Sequence, residues 1–198
     1  MKFLFIFVVA LVLAGCAGSG GRPVQTAYYD FGLALRPDGK QTLMLGGIEV
    51  QSPSWLGTTA MQYRLSYLNG TRRESYADAR WTASPAELLE VSLRRRLAST
   101  DVERPSAGCR LRIDLDDFVQ VFTSPQLSYS MLEARVLLMR PHADRVLARR
   151  SLSIRIDSAT PDAKGGVAAF ATLADGAGNE LANWLSGLTV QDDCKAAN

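Results

Sequence analysis

From Cys109 to Ile156 the chain alternates apolar and polar residues, and this stretch restricts the fold more than any other. Leu111, Ile113 and Leu115 alternate with Arg110, Arg112, Asp114 and Asp116. After a turn at Thr123-Ser124-Pro125-Gln126, the segment Tyr129 to Arg140 places Leu132, Ala134, Val136 and Leu138 on one side. After a second turn, Pro141-His142-Ala143-Asp144, the segment Val146 to Ile156 sets Leu152, Ile154 and Ile156 against Arg149, Ser151, Ser153 and Arg155. A period of two sends successive side chains to opposite faces of a strand. Three such strands joined by short turns make an antiparallel meander with one apolar face.

Two helical patterns are available to cover that face. Ser84-Pro85-Ala86-Glu87 is a helix start: Ser84 caps, Pro85 suits the first helical position and Glu87 completes a capping box. Leu89, Leu93 and Leu97 follow at four-residue spacing, with Glu90, Arg94 and Arg95 on the opposite face, and the helix stops near Ser99-Thr100. A second helix runs from about Pro161 to Leu188, with a stripe of Phe170, Leu173, Ala174, Ala177, Leu181, Trp184, Leu185 and Leu188. Gly176 and Gly178 weaken it by about 1 kcal/mol each relative to Ala, and small residues there let it approach a neighbour closely.

The first half reads as shorter strands. Tyr28 to Leu33 is one; Arg36-Pro37-Asp38-Gly39-Lys40 is a turn; Leu43 to Val50 is a second strand, bent or bulged at Gly46-Gly47. Gln51 to Thr58 is a loop. Met61, Tyr63, Leu65 and Tyr67 alternate with polar residues as a half-buried strand, with these side chains toward the core. Asn69-Gly70 predicts a tight hairpin, with Thr71 to Tyr76 as the return arm. The order strands, helix, strands, helix predicts an α+β fold, an antiparallel β-sheet with two helices packed on one face.

The N-terminus assigns a location. Met1-Lys2 is followed by an apolar run, Phe3 to Leu13, then Leu13-Ala14-Gly15-Cys16. The run fits the core of a signal peptide and is short for a membrane span. Small residues before a cysteine make a bacterial lipobox, so residues 1–15 are expected to be removed and Cys16 acylated. Residues 16–25 then form an acylated N-terminus and flexible tether, and 26–198 a periplasmic domain. Ala17, not aspartate, follows Cys16, which favours the outer membrane in a Gram-negative cell.

With Cys16 consumed by lipid, Cys109 and Cys194 remain. An even pair in an oxidising compartment is expected to form a disulfide, two unrelated thiols being the alternative. The chain has 22 basic and 20 acidic residues, and no run of like charge stands out, which does not suggest nucleic-acid binding. No cofactor motif and no catalytic set is present, so the expected protein is not an enzyme. The lone histidine, His142, sits beside Asp144 in a turn. Asp114, Asp116 and Asp117 crowd one strand; carboxylates suit calcium, but the glycine and distal glutamate of a dedicated loop are missing, and a solvent-facing strand edge is the favoured reading. Trp55-Leu56 lies in a loop, as a docking tip or folded over the core; Tyr76 and Trp81 precede the first helix and can staple it to the sheet.

Four stretches in order, Ser52-Pro53-Ser54-Trp55-Leu56, Met61-Gln62-Tyr63-Arg64-Leu65, Tyr76-Ala77-Asp78-Ala79-Arg80-Trp81 and Pro85-Ala86-Glu87-Leu88-Leu89, resemble the ABC-type transport auxiliary lipoprotein family. That family includes the lipoprotein partner of the paraquat-inducible MCE system, and the resemblance runs from about Tyr28 to Leu188. It implies a non-catalytic role in intermembrane lipid transport that supports membrane integrity. The implied partners are a periplasmic MCE-domain protein and inner-membrane ABC transporter components, and a homo-oligomer is compatible with such a role. Trp55, Leu56, Tyr76 and Trp81 match the family pattern and are the implied partner-binding residues. The alternative is an outer-membrane assembly or pilot lipoprotein that binds a β-barrel or secretin.

Overall fold

A computed structural model describes residues 25–33, 45–97, 108–141, 143–190 and 192–194. The lipobox, the tether, the turn at 36–40, the helix stop at 99–100 and His142 lie outside them. In chain order the elements are β1 (Ala27–Tyr29), β2 (Leu45–Gln51), a 3-10 turn (Ser54–Leu56), β3 (Ala60–Leu65), α1 (Ser66–Asn69), β4 (Glu74–Trp81), α2 (Pro85–Leu97), β5 (Cys109–Ser124), β6 (Leu127–Met139), β7 (Val146–Asp157) and α3 (Ala163–Ser186).

β5, β6 and β7 form the antiparallel meander read from the alternation, with Ile113 opposite Val136 and Ala134 opposite Leu152. Leu111, Ile113, Leu115, Leu132, Ala134, Val136 and Leu138 are all buried. The sheet as a whole is mixed, which corrects the expectation of a purely antiparallel one. Its order is β1-β4-β3-β5-β6-β7, and β2 also pairs with β5. β2 and β3 both run parallel to β5 along the same edge, Gln51 opposite Asp114 and Tyr63 opposite Gln120. β1 runs parallel to β4. One sixteen-residue strand therefore serves two shorter ones placed end to end. The ladder slips at Leu45/Gly47, where the glycine pair suggested a bulge.

The hairpin expected at Asn69-Gly70 is replaced by a third helix, the single turn α1. Gly70 has φ −67° and ψ −16°, a right-handed conformation, whereas the tight hairpin turn needs positive φ. Asn69 Oδ1 instead accepts from Thr71 N at 3.0 Å and from Thr71 Oγ1 at 2.7 Å. β3 and β4 still pair antiparallel across this wider connection.

α2 starts as its sequence requires: Glu87 Oε2 accepts from Ser84 N and Ser84 Oγ, both at 2.9 Å. The Ser84 backbone N–H holds the Glu87 carboxyl below its usual range. Leu89, Leu93 and Leu97 are buried. α3 is capped by Asp162, whose Oδ1 accepts from Gly165 N at 2.7 Å. The two long helices meet where Gly178 leaves room for the Arg96 stem, and Arg96 donates to Asn179 and Asp175. Phe118 stacks on Phe170 at 4.1 Å between centroids, and Trp81 meets Phe170 edge-on at 5.5 Å, so β5, β4 and α3 share one core. Buried Cys109 and Cys194 are joined in a disulfide that ties the start of β5 to the tail over 85 residues.

Candidate functional site

The parallel ladder along β5 has a gap. β2 leaves after Asp114, and β3 joins only at Gln120. Across the gap the chain loops out through the 3-10 turn, and β5 itself slips register between Leu115 and Asp117. A bulge leaves backbone groups without ladder partners, so side chains must satisfy them. Asp117 Oδ1 accepts from Phe118 N at 2.7 Å.

The same carboxylate anchors an arginine cluster. Arg73 reaches Asp117 Oδ1 and Oδ2 at 2.9 and 3.1 Å, and Arg64 lies 3.7 Å from Asp117 Oδ2. Arg73 also donates to Gln62 Oε1 at 2.9 Å, while Gln62 Nε2 donates to Trp55 O at 2.8 Å. The Arg73 guanidinium then lies over the Trp55 ring, 4.3 Å from its centroid. Such stacking is worth about 0.5–1 kcal/mol at an exposed site. Trp55 is thus held by its backbone and by its ring, yet stays 43% exposed.

Beside it lies a cleft of about 530 Å³ lined by Gln51, Ser52, Pro53, Trp55, Arg112 and Asp114, with Leu115, Asp116 and Arg135 completing it. Its charges are matched within the wall. Arg112 pairs with Asp114 at 2.9 Å, and Arg135 clasps Asp116 through Nη2 at 2.8 Å and Nε at 2.9 Å. The hydrogen bond to Asp116 raises the already high pKa of Arg135. The three aspartates of β5 are therefore all engaged by arginine. Among the described residues no group of three His, Cys, Asp or Glu is placed to hold a metal ion. A rigid aromatic edge next to matched, displaceable ion pairs suits recognition of a polar macromolecular surface.

The four residues implied by the family resemblance do not converge. Trp55 lines the cleft. Leu56, its neighbour, is 1% exposed and points into the core, as is Trp81. Neither offers a side chain to a partner, because the 3-10 turn sends Trp55 and Leu56 in opposite directions and the inward alternation of β4 buries Trp81. Tyr76 is half-buried on the helix side of the sheet, its ring tilted against that of Tyr63 with centroids 4.7 Å apart, and bonded to Gln120. Tyr67, expected to face the core, is 41% exposed because β3 ends at Leu65. Arg73, Gln62, Arg64 and Arg135 are not marked as site residues by the sequence: Gln62, Arg64 and Arg135 are the polar members of alternating strands, Arg73 lies between Arg72 and Glu74, and only the register brings them to the Trp55 cleft.

No family model matches the chain, and no curated protein matches it. Solved structures do. The crystal structure of a Xanthomonas campestris protein of the family DUF330 superposes with a TM-score of 0.68 at 19% identity, covering 80% of this chain and 94% of that one. A second crystal structure, of an uncharacterized protein, gives 0.61 at 12% identity, covering 81% and 99%. At these identities the likeness is one of fold.

Proposed function

We propose that the chain is an outer-membrane lipoprotein, acylated at Cys16, that serves as a non-catalytic auxiliary of an ABC/MCE-type intermembrane lipid transport system. The Trp55 cleft receives the periplasmic MCE-domain partner. One observation carries this reading: two of the stretches that resemble the auxiliary lipoprotein family, Ser52 to Leu56 and Met61 to Leu65, are those that supply the rim of the cleft and the clamp on Trp55. An exposed tryptophan held in one orientation costs little further entropy on binding, which is what a binding hot spot requires.

The test is co-purification of the MCE protein with the wild-type chain and with Trp55→Ala and Arg135→Ala. Both side chains are partly exposed, so the thermal midpoint should stay within a few degrees while recovery of the partner falls. Unchanged recovery from both variants refutes the cleft as the docking surface. Recovery of a barrel or secretin in place of MCE and ABC components moves the assignment to an assembly lipoprotein.

A further inference from the structure

At the end of the sheet remote from Cys109 the chain segments carry no charge of their own, although exposed Arg72, Asp157, Asp162 and Lys164 flank them and the Arg155 guanidinium lies over the Tyr129 ring. Three segments meet there. α1 and its turn read Ser66-Tyr67-Leu68-Asn69-Gly70-Thr71, the end of β5, the turn and the start of β6 together span Thr123 to Tyr129, and the exit from β7 reads Ser158-Ala159-Thr160-Pro161. The ladder brings them together. Leu65 is opposite Phe122, Ser124 opposite Leu127 and Tyr129 opposite Asp157. Ser66 Oγ donates to Phe122 O at 2.7 Å, and Ser158 N to Ser128 O at 2.9 Å. None of the three segments contains Asp, Glu, Lys or Arg, in a chain in which 21% of residues are charged. From these uncharged segments project Tyr67, Leu68 at 72% exposure and Leu127 at 65%.

Single exposed apolar side chains are ordinary. What distinguishes these is where the N-terminal chain is directed. β1 lies parallel to β4, with Ala27 beside Ala79 and Tyr29 beside Trp81. β4 starts at Glu74, opposite Tyr63, and runs away from this end. The chain that enters β1 therefore comes from the side of that end. Ala79 is about 17 Å along β4 from Glu74, and the stretch from Cys16 to Ala27 spans at most about 40 Å. An anchor at Cys16 is within reach of the tip.

We propose that this end is a membrane-contacting tip, in which Tyr67, Leu68 and Leu127 enter the interfacial layer of the bilayer that holds Cys16. The inference rests on the lipoprotein reading above. Only the uncharged residues at the tip enter, while the flanking Arg72, Asp157, Asp162 and Lys164 stay at headgroup level and keep their hydration; tyrosine and leucine suit the boundary between headgroups and acyl chains. The anchor makes insertion intramolecular, so a small tip suffices. Strands then rise from the membrane, and the Trp55 cleft stands to the side, about 20 Å above the tip, open to a periplasmic partner.

The experiment uses the full-length acylated protein in vesicles of phosphatidylethanolamine and phosphatidylglycerol. Nitroxides are placed at Leu68→Cys, Leu127→Cys and, as an exposed control on α2, Val91→Cys. The expected result is a collision ratio for oxygen over a water-soluble nickel chelate that is severalfold higher at positions 68 and 127 than at 91. Mass spectrometry of the N-terminal peptide reads acylation separately. An acylated chain whose labels at 68 and 127 stay as aqueous as the control overturns the tip alone. A chain without acyl groups at Cys16 overturns the lipoprotein reading and the tip with it. Labels that are immobile yet aqueous in native envelopes show a protein covering this end and overturn the tip as well. All three sites are exposed, and thermal midpoints near wild type verify that each labelled variant is folded.

Discussion

Tyr76 Oη donates a hydrogen bond to Gln120 Oε1 at 2.9 Å, and this contact joins four elements. Gln120 is 1% exposed, and its Nε2 donates to Ser128 Oγ at 2.9 Å and to Asp162 O at 3.1 Å. A single buried amide thus links β4, β5, β6 and the start of α3. Buried polar groups persist only when satisfied, and removing one partner leaves the other to bear its desolvation cost.

The network makes stability fall at alkaline pH. Burial, then the neighbouring Tyr63, Asp162 and Asp78, push the Tyr76 phenol well above its ordinary value. A group whose folded pKa is raised contributes stability fully below its unfolded pKa, about 10 for tyrosine, and loses it as pH rises past that value. Tyr76→Phe should cost about 1–2 kcal/mol at neutral pH by orphaning Gln120 Oε1. It should also flatten the decline of the thermal midpoint above pH ~10, leaving the smaller share of Tyr63, whose phenol is raised too, chiefly by burial. Thermal melts from pH 7 to about pH 11 decide this; an alkaline slope as steep in the variant as in the wild type refutes it.

Two glycines of α3 should respond oppositely to the same substitution. A methyl at Gly166 would fall on Oε1 of Gln120, which is locked by its hydrogen bonds and cannot swing aside. A methyl at Gly176 meets nothing within 4 Å. Gly166→Ala should destabilise by about 1–3 kcal/mol, overpacking outweighing helix propensity. Gly176→Ala should stabilise by about 0.5–1 kcal/mol, raising the midpoint by about 1–4 °C. Shifts of the same sign in calorimetry would contradict the packing assigned to Gln120.

The elements that could be read from the sequence are those whose signal is local. Alternation in β5 to β7 and the capping box of α2 are each contained in a few consecutive residues, and each appears as expected. The parallel pairings of β2 and β3 with β5 connect residues far apart, and nothing in a short window tells a parallel partner from an antiparallel one. Asn69-Gly70 misled because the side chain of Asn69 bonds its own loop and leaves Gly70 right-handed. Trp55 is legible as a loop aromatic and is exposed, whereas its neighbour Leu56, for which the resemblance implies the same role, is buried. Arg73 and Asp117, which complete the site, lie 44 positions apart and had no pattern to join them. Gln120 interrupts an apolar run, Phe118 to Phe122, and Gly166 faces it; that coincidence needs the fold to be seen.

Glu90 and Arg94 were assigned to the solvent face of α2, and they perform a structural task there. Among the described residues β2 pairs with a strand, β5, on one side only, and its other edge faces α2. Val50 N donates to Glu90 Oε2 at 3.0 Å, and Arg94 Nη2 donates to Ile48 O at 3.2 Å. The two side chains pair with each other at 2.8 Å. In a parallel ladder one residue of the partner strand donates to residue i and accepts from residue i+2. The ion pair therefore reproduces one residue of a missing strand and closes an edge open to pairing with other chains. Glu90→Ala should cost about 1–2 kcal/mol, because it unpairs Val50 N and releases Arg94. Glu90→Gln keeps an acceptor for Val50 N and should recover about half of that loss. Amide exchange at Val50 should accelerate in Glu90→Ala more than in Glu90→Gln. If both variants leave Val50 as protected as wild type, the side chains do not seal the edge.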